Sequence, residues 1–168
     1  LEGDVLCSYA PSNPSIVYAR QLNNPGKLWR SNDGGQTFSL INATTNGYDR
    51  KSFWVSPTDP NFLILGGVDL FRSTSGGDTF TKIANGYLLT IQPHPDQNYF
   101  VGDPQFNGTT NKRAYACTDG GIFRADDITT ADANSGWTPL YYNYQTTQFY
   151  GAVGSGKTGK IIGGTQDN

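Results

Sequence analysis

Arg30-Ser31-Asn32-Asp33-Gly34-Gly35-Gln36-Thr37-Phe38 returns 42 positions later as a degenerate copy, Arg72-Ser73-Thr74-Ser75-Gly76-Gly77-Asp78-Thr79-Phe80. In the first copy a β-rich run, Lys27 to Arg30, precedes the string and another, Phe38 to Ile41, follows it, so the string predicts a hairpin turn. Glycines supply the positive φ angles such a turn needs, and the Asp or Ser side chain hydrogen-bonds the turn's own amides. Ser31, Asp33, Gly35 and Phe38 are the turn-building residues of the first copy, and Ser73, Ser75, Gly77 and Phe80 those of the second. A recurrence at this spacing makes the chain a repeat protein.

Outward from the two turns the same grammar repeats. Asp4 to Ala10 reads as a strand, Pro11-Ser12-Asn13-Pro14 as a turn and Ser15 to Ala19 as a second strand. Later, Phe53-Trp54-Val55 precedes Pro57-Thr58-Asp59-Pro60, then the apolar run Asn61 to Leu65, then Leu70-Phe71-Arg72 leading into the second turn. Four short strands in about 40 to 50 residues is the blade of a β-propeller.

The third unit is irregular. Tyr87 to Gln92 reads as a strand, followed by Pro93-His94-Pro95-Asp96-Gln97-Asn98 and a second apolar run, Tyr99 to Val101. A polar insertion, Gln105 to Arg113, delays the next strand. Ala114-Tyr115-Ala116-Cys117 then aligns with Leu63 to Gly66, and Ile122-Phe123-Arg124 with Leu70-Phe71-Arg72. Beyond that the turn has decayed, with Asp126-Asp127 and Trp137-Thr138-Pro139-Leu140 where the acid and the closing aromatic belong. The units are read as blade 1 over about 4–43, blade 2 over about 48–86, blade 3 over about 87–143 and the start of blade 4 over about 146–168. In this register Trp29, Phe71 and Phe123 fall on equivalent third strands. The fold expected is all-β, about three and a half four-stranded antiparallel blades. A blade cannot bury both faces alone, so the arc is expected to be part of a larger ring or to be completed by another chain.

Composition narrows the partners. With 36% hydrophobic and 15% charged residues in 168, the chain is an ordered protein short of charge. Its net charge of −2 and lack of a basic patch argue against a nucleic-acid partner. No apolar run approaches the length of a membrane span. The lack of methionine implies that Leu1 is not a natural start. Cys7 and Cys117 each sit in a strand-like run and are read as buried thiols, with a bridge as the alternative. Asn42-Ala43-Thr44 and Asn107-Gly108-Thr109 fit the glycosylation acceptor pattern, which matters only in a eukaryotic source.

Ser31 to Phe38 resembles the Asp-box, or BNR repeat, of secreted β-propellers, and the second copy departs from it with Ser75 in place of the Asp. From about Asp4 to Asn168 the chain is similar to that group, whose members include sortilin-type receptors, xyloglucanases of glycoside hydrolase family 74 and many secreted bacterial proteins. His94-Pro95-Asp96-Gln97, Asp103-Pro104, Thr118 to Arg124, Thr146-Thr147-Gln148-Phe149-Tyr150 and Gly163 to Asn168 carry the rest of the resemblance. It implies a propeller and an extracellular or secreted location. It does not imply one activity, because the same propeller carries hydrolases, receptors and assembly factors.

Within the resemblance, Asp119 corresponds to a family 74 catalytic acid, an Asp four residues before Phe-Arg, here Phe123-Arg124. Such enzymes invert, using two carboxylates about 6.5 to 9.5 Å apart. Asp167 matches the partner by type only, and the competing reading of Asp119 is a capping residue of an Asp-Gly-Gly turn. Tyr141, Tyr142, Tyr144, Phe149 and Tyr150 crowd the segment between the third and fourth units, where aromatics suit a glycan or peptide contact, although at least half must fill space between blades.

Other motifs are read as structural. Gly151 to Thr158 matches the phosphate-binding loop pattern letter for letter, but Gly159 to Gly164 has no helical periodicity, so a turn between blade strands is expected. His94 with Asp96 and Asp103 lacks metal-ligand spacing, and neither metal nor cofactor is expected. The resulting expectation is a binding or assembly scaffold for a polysaccharide or protein ligand, with an inverting glycoside hydrolase of xyloglucanase type as the alternative.

Overall fold

A computed structural model of the chain describes residues 3–22, 25–45, 52–87, 91–140 and 149–165, with backbone alone at Thr44, Phe149, Tyr150 and Thr165. Every helix or strand among them is a strand. The first sheet pairs β1 (Val5–Ala10), β2 (Asn13–Gln21), β3 (Gly26–Ser31) and β4 (Ser39–Thr45) in chain order. The second pairs β5 (Phe53–Val55), β6 (Leu63–Gly66), β7 (Leu70–Ser73) and β8 (Thr81–Lys82). The third pairs β9 (Gln97–Gly102), β10 (Ala114–Thr118), β11 (Gly121–Ala125) and β12 (Trp137–Pro139), and β13 (Phe149–Gly154) pairs with β14 (Ile161–Thr165). All these strand pairs are antiparallel.

The cores lie between consecutive sheets. Ala10, Ile16, Tyr18 and Leu28 of the first sheet meet Val55 and Leu63 of the second. Ile64 and Leu70 of the second meet Phe100, Ala116, Phe123 and Trp137 of the third. β6 is therefore covered on both faces, which is why it reads as an unbroken apolar run instead of an alternating one. Full burial of each such Leu or Ile stabilises by about 2 kcal/mol. Trp29, Phe71 and Phe123 stand on third strands opposite Ala19, Leu65 and Ala116, so the three occupy one register position.

Arg20 crosses the first joint. It is 1% exposed, and its Nη1 donates to the carbonyls of Ser52 and Gly66 at 2.8 Å each. Its Nε and Nη2 have no hydrogen-bond partner among the described residues. Burial pushes its pKa down to about 10.

Three sequence expectations are corrected. Tyr87 lies in a turn, and Ile91 and Gln92 are outside any strand, so the first strand of the third sheet is β9, at its edge. Pro93 and Pro95 lack the N–H groups a ladder needs, and Asp96 takes a left-handed φ of 67°. Asn13 and Pro14 belong to β2 and not to the preceding turn, entering where the register shifts between Tyr9 and Ala10. The cysteines are free, but Cys7 is exposed and Cys117 half-buried, because their side chains lie on faces that no neighbouring sheet covers among the described residues.

Candidate functional site

Two of the recurring turns have the same wiring. Ser31 Oγ accepts from Gly35 N at 2.8 Å and donates to Asp33 Oδ1 at 2.6 Å. Asp33 Oδ1 accepts from the amides of Gln36 and Thr37 at 2.9 Å each, and its other oxygen accepts from the Thr37 hydroxyl. In the second turn Ser73 Oγ accepts from Gly77 N at 2.9 Å and Ser75 Oγ from Thr79 N at 3.0 Å. The Ser31 hydroxyl, then the Thr37 hydroxyl and amide, hold the Asp33 carboxyl far below the ordinary carboxylate range. In the decayed third turn Asp127 accepts from Thr129 N at 2.8 Å and from Lys112 Nζ at 2.9 Å. Burial opposes its ionisation, yet the Thr129 hydroxyl and Lys112 outweigh that and lower its pKa. Asp126 instead pairs with Arg113 and Arg124.

Asp119 stands half-buried between β10 and β11. The turn itself is tied by Thr118, whose Oγ1 accepts from Gly120 N at 3.2 Å and donates to Gly121 O at 3.1 Å. Asp119 Oδ1 accepts from Asn98 Nδ2 at 2.6 Å. The His94 ring covers the turn so closely that a Cβ on Gly120 would lie 2.5 Å from its Cγ. The segment carrying His94 is docked on the second sheet by Asp96 N and Gln97 N, which donate to the carbonyls of Val68 and Gly67 at 2.8 Å each. Gln97 Nε2 adds a bond to His94 O at 2.6 Å. Asp119, Asn98 and His94 thus gather at the joint between the second and third sheets. Asn98 escaped the sequence reading because it is the extra residue of a bulge, with Tyr99 opposite Cys117 and Gln97 opposite Thr118.

The aromatic candidates Tyr141, Tyr142 and Tyr144 and the acid Asp167 lie outside the described residues, and Tyr150 is placed in β13 by its backbone. The phosphate-loop-like string forms the hairpin of β13 and β14. Ser155 O accepts from Gly159 N at 2.9 Å and Ser155 N donates to Lys160 O at 2.8 Å, so no helix N-terminus faces a phosphate. Among the described residues no group of three or more His, Cys, Asp or Glu side chains is placed to hold a metal ion. No helix among them is long and apolar enough to cross a membrane. Both tripeptide asparagines use their amide nitrogens, Asn42 toward Gly77 O and Asp78 O and Asn107 toward Thr110 Oγ1.

Four-stranded antiparallel sheets stacked in chain order are the blades of a β-propeller. The chain resembles in fold a GH74 enzyme of Niastella koreensis, with a TM-score of 0.62 and 20% identity over 97% of this chain and 26% of that one. It also resembles the GH74 xyloglucanase of Xanthomonas campestris, with a TM-score of 0.61 and 18% identity over 96% of this chain and 26% of that one. An ancestral GH74 enzyme matches 73% of this chain and 17% of its own, at a TM-score of 0.50 and 17% identity. The chain spans 26% of the length of each of the first two. No protein-family model and no curated protein matches it.

Proposed function

We propose that this chain is a segment of a secreted Asp-box β-propeller that works as a binding or assembly scaffold for a glycan or a protein, with further blades or another chain completing its ring. The observation that carries the reading is the bond from Asn98 Nδ2 to Asp119 Oδ1, which engages the best candidate acid within the protein's own framework. The other carboxylates support it. Asp33, Asp59, Asp103, Asp127 and Asp132 each accept backbone amides of their own turns. Tyr141, Tyr142, Tyr144 and Tyr150 are the proposed ligand contacts.

A second reading, an inverting glycoside hydrolase with Asp119 as one acid, is favoured by the GH74 enzymes among the structural likenesses. Incubating the intact protein with xyloglucan and measuring both retardation in a xyloglucan-containing native gel and release of reducing ends separates the two. The scaffold reading expects no release of reducing ends. Release that Asp119→Asn abolishes at unchanged melting temperature overturns it.

A further inference from the structure

Arg20 carries its charge inside the first joint with no described carboxylate to balance it. Both hydrogens of Nη1 are used, on the carbonyls of Ser52 and Gly66 at 2.8 Å each. No ion pair among the described residues reaches the guanidinium, and burial alone pushes its pKa down. A cation taken out of water in this way is strongly disfavoured unless opposite charge and matched hydrogen bonds enter with it.

The unused part of the guanidinium has a definite shape. Nε and Nη2, both without a partner among the described residues, lie along the edge whose two N–H bonds run parallel. That edge fits the two oxygens of a carboxylate. The groups beside it share the deficit. Gly66 stands between Ser52 and Gln97, since a Cβ on it would lie 2.5 Å from Ser52 Cβ and 2.6 Å from Gln97 Cβ. Ser52 and Gln97 are both 0% exposed, and Ser52 Oγ and Gln97 Oε1 also have no partner among the described residues. The cluster therefore combines parallel N–H donors, one hydroxyl and one acceptor.

We propose that Arg20, Ser52 and Gln97 form an internal site for a small hydroxy-carboxylate: Arg20 Nε and Nη2 donate to its two carboxylate oxygens, Ser52 Oγ donates to one of them, and its hydroxyl donates to Gln97 Oε1. The carboxylate supplies the missing charge, which a water cannot. The hydroxyl supplies the donor that the amide oxygen lacks. A hydroxyl beside a carboxylate is found both in free 2-hydroxy acids and in acidic sugars. Because Arg20 is 1% exposed, the acid is captured as the joint forms and exchanges only when the joint opens. The inference holds whether the propeller is a scaffold or a hydrolase.

Thermal unfolding of the intact protein in sodium glycolate, and in sodium chloride at equal ionic strength, tests it. A ligand held by the folded form alone raises the melting temperature progressively with its concentration. Glycolate is expected to raise it by about 5 °C at about a hundredfold excess over the dissociation constant. Arg20→Met is expected to abolish the rise, and Ser52→Ala to weaken the affinity read from it about tenfold. Glucuronate in the same assay separates the sources: an equal rise that needs Arg20 makes an acidic sugar the occupant, and a rise confined to glycolate makes it a free hydroxy acid. A rise that chloride matches, a rise that survives Arg20→Met, or no rise at any concentration overturns the proposal, the last leaving internal water as the partner of these groups.

Discussion

Ser75 occupies in the second turn the place that Asp33 holds in the first: its hydroxyl accepts from the amide four residues on at 3.0 Å, where one carboxylate oxygen of Asp33 accepts at 2.9 Å. The two turns share a backbone wiring and differ in charge. Asp33 binds the Thr37 hydroxyl with its second oxygen, whereas Ser75 must use its single oxygen for both the Thr79 amide and hydroxyl.

That difference predicts a pH signature. The folded-state pKa of Asp33 is depressed, so the stability it contributes is fully present above the unfolded value near 4 and is lost as pH falls below it. Asp33→Ser is therefore expected to lower the melting temperature at about pH 7, and the gap should close toward about pH 2. Thermal scans across that range check it, and a gap that widens in acid contradicts the assignment.

Glycines with similar backbone angles differ in what surrounds them. Gly34, at φ 76°, has open space where a Cβ would go, whereas at Gly77, φ 100°, a Cβ would collide with Leu28 and touch Leu63 at 3.5 Å. Gly34→Ala is expected to cost about 1 kcal/mol, the left-handed penalty alone, and Gly77→Ala about 3 kcal/mol. Urea denaturation of the two variants measures the difference.

Arg20 is expected to be sensitive to volume more than to charge. Arg20→Ala removes two buried hydrogen bonds and leaves a cavity at the first joint, at a cost of about 3 kcal/mol. Arg20→Met keeps the volume and removes two unsatisfied nitrogens, at a cost of about 1 kcal/mol. Equal losses by denaturation would show that the guanidinium's bonds, and not its packing, hold the joint.

Asn98 and Asp119 should behave as a pair. Each alanine substitution is expected to cost about 1 kcal/mol, and the double variant less than the sum, since one bond is being removed twice. Under the scaffold reading Asp119→Ala leaves ligand affinity unchanged. Calorimetry with the ligand, run beside the melting curves, checks both statements.

The fold was legible where local chemistry repeats. Asp33 and Ser75 announce their turns because glycine and a short polar side chain at fixed spacing have few other uses. Trp29 and Phe71 could be aligned from the turns, and Phe123 from the match of Ile122-Phe123-Arg124 to Leu70-Phe71-Arg72. The start of the third sheet was not legible, because Tyr87 to Gln92 has the composition of a strand while Pro93, Pro95 and the left-handed Asp96 bend the chain before β9 can begin. The neighbourhood of Asp119 was half legible. Its turn could be read, but Asn98 and His94 reach it from β9 and the segment before it, a non-local meeting that no spacing encodes.

The meander order of the sheets also bears on how the chain reaches its native state. Each strand in the described sheets pairs with its immediate predecessor or successor in the chain, so the loops that must close are short and their entropic cost is low for an all-β molecule. The second sheet, with Leu63 facing one core and Ile64 the other, is the natural place for ordering to begin, since it can template a neighbour on either side. Refolding should then spread outward from β6, with the amides of Leu63–Gly66 acquiring protection before those of β1 and β12.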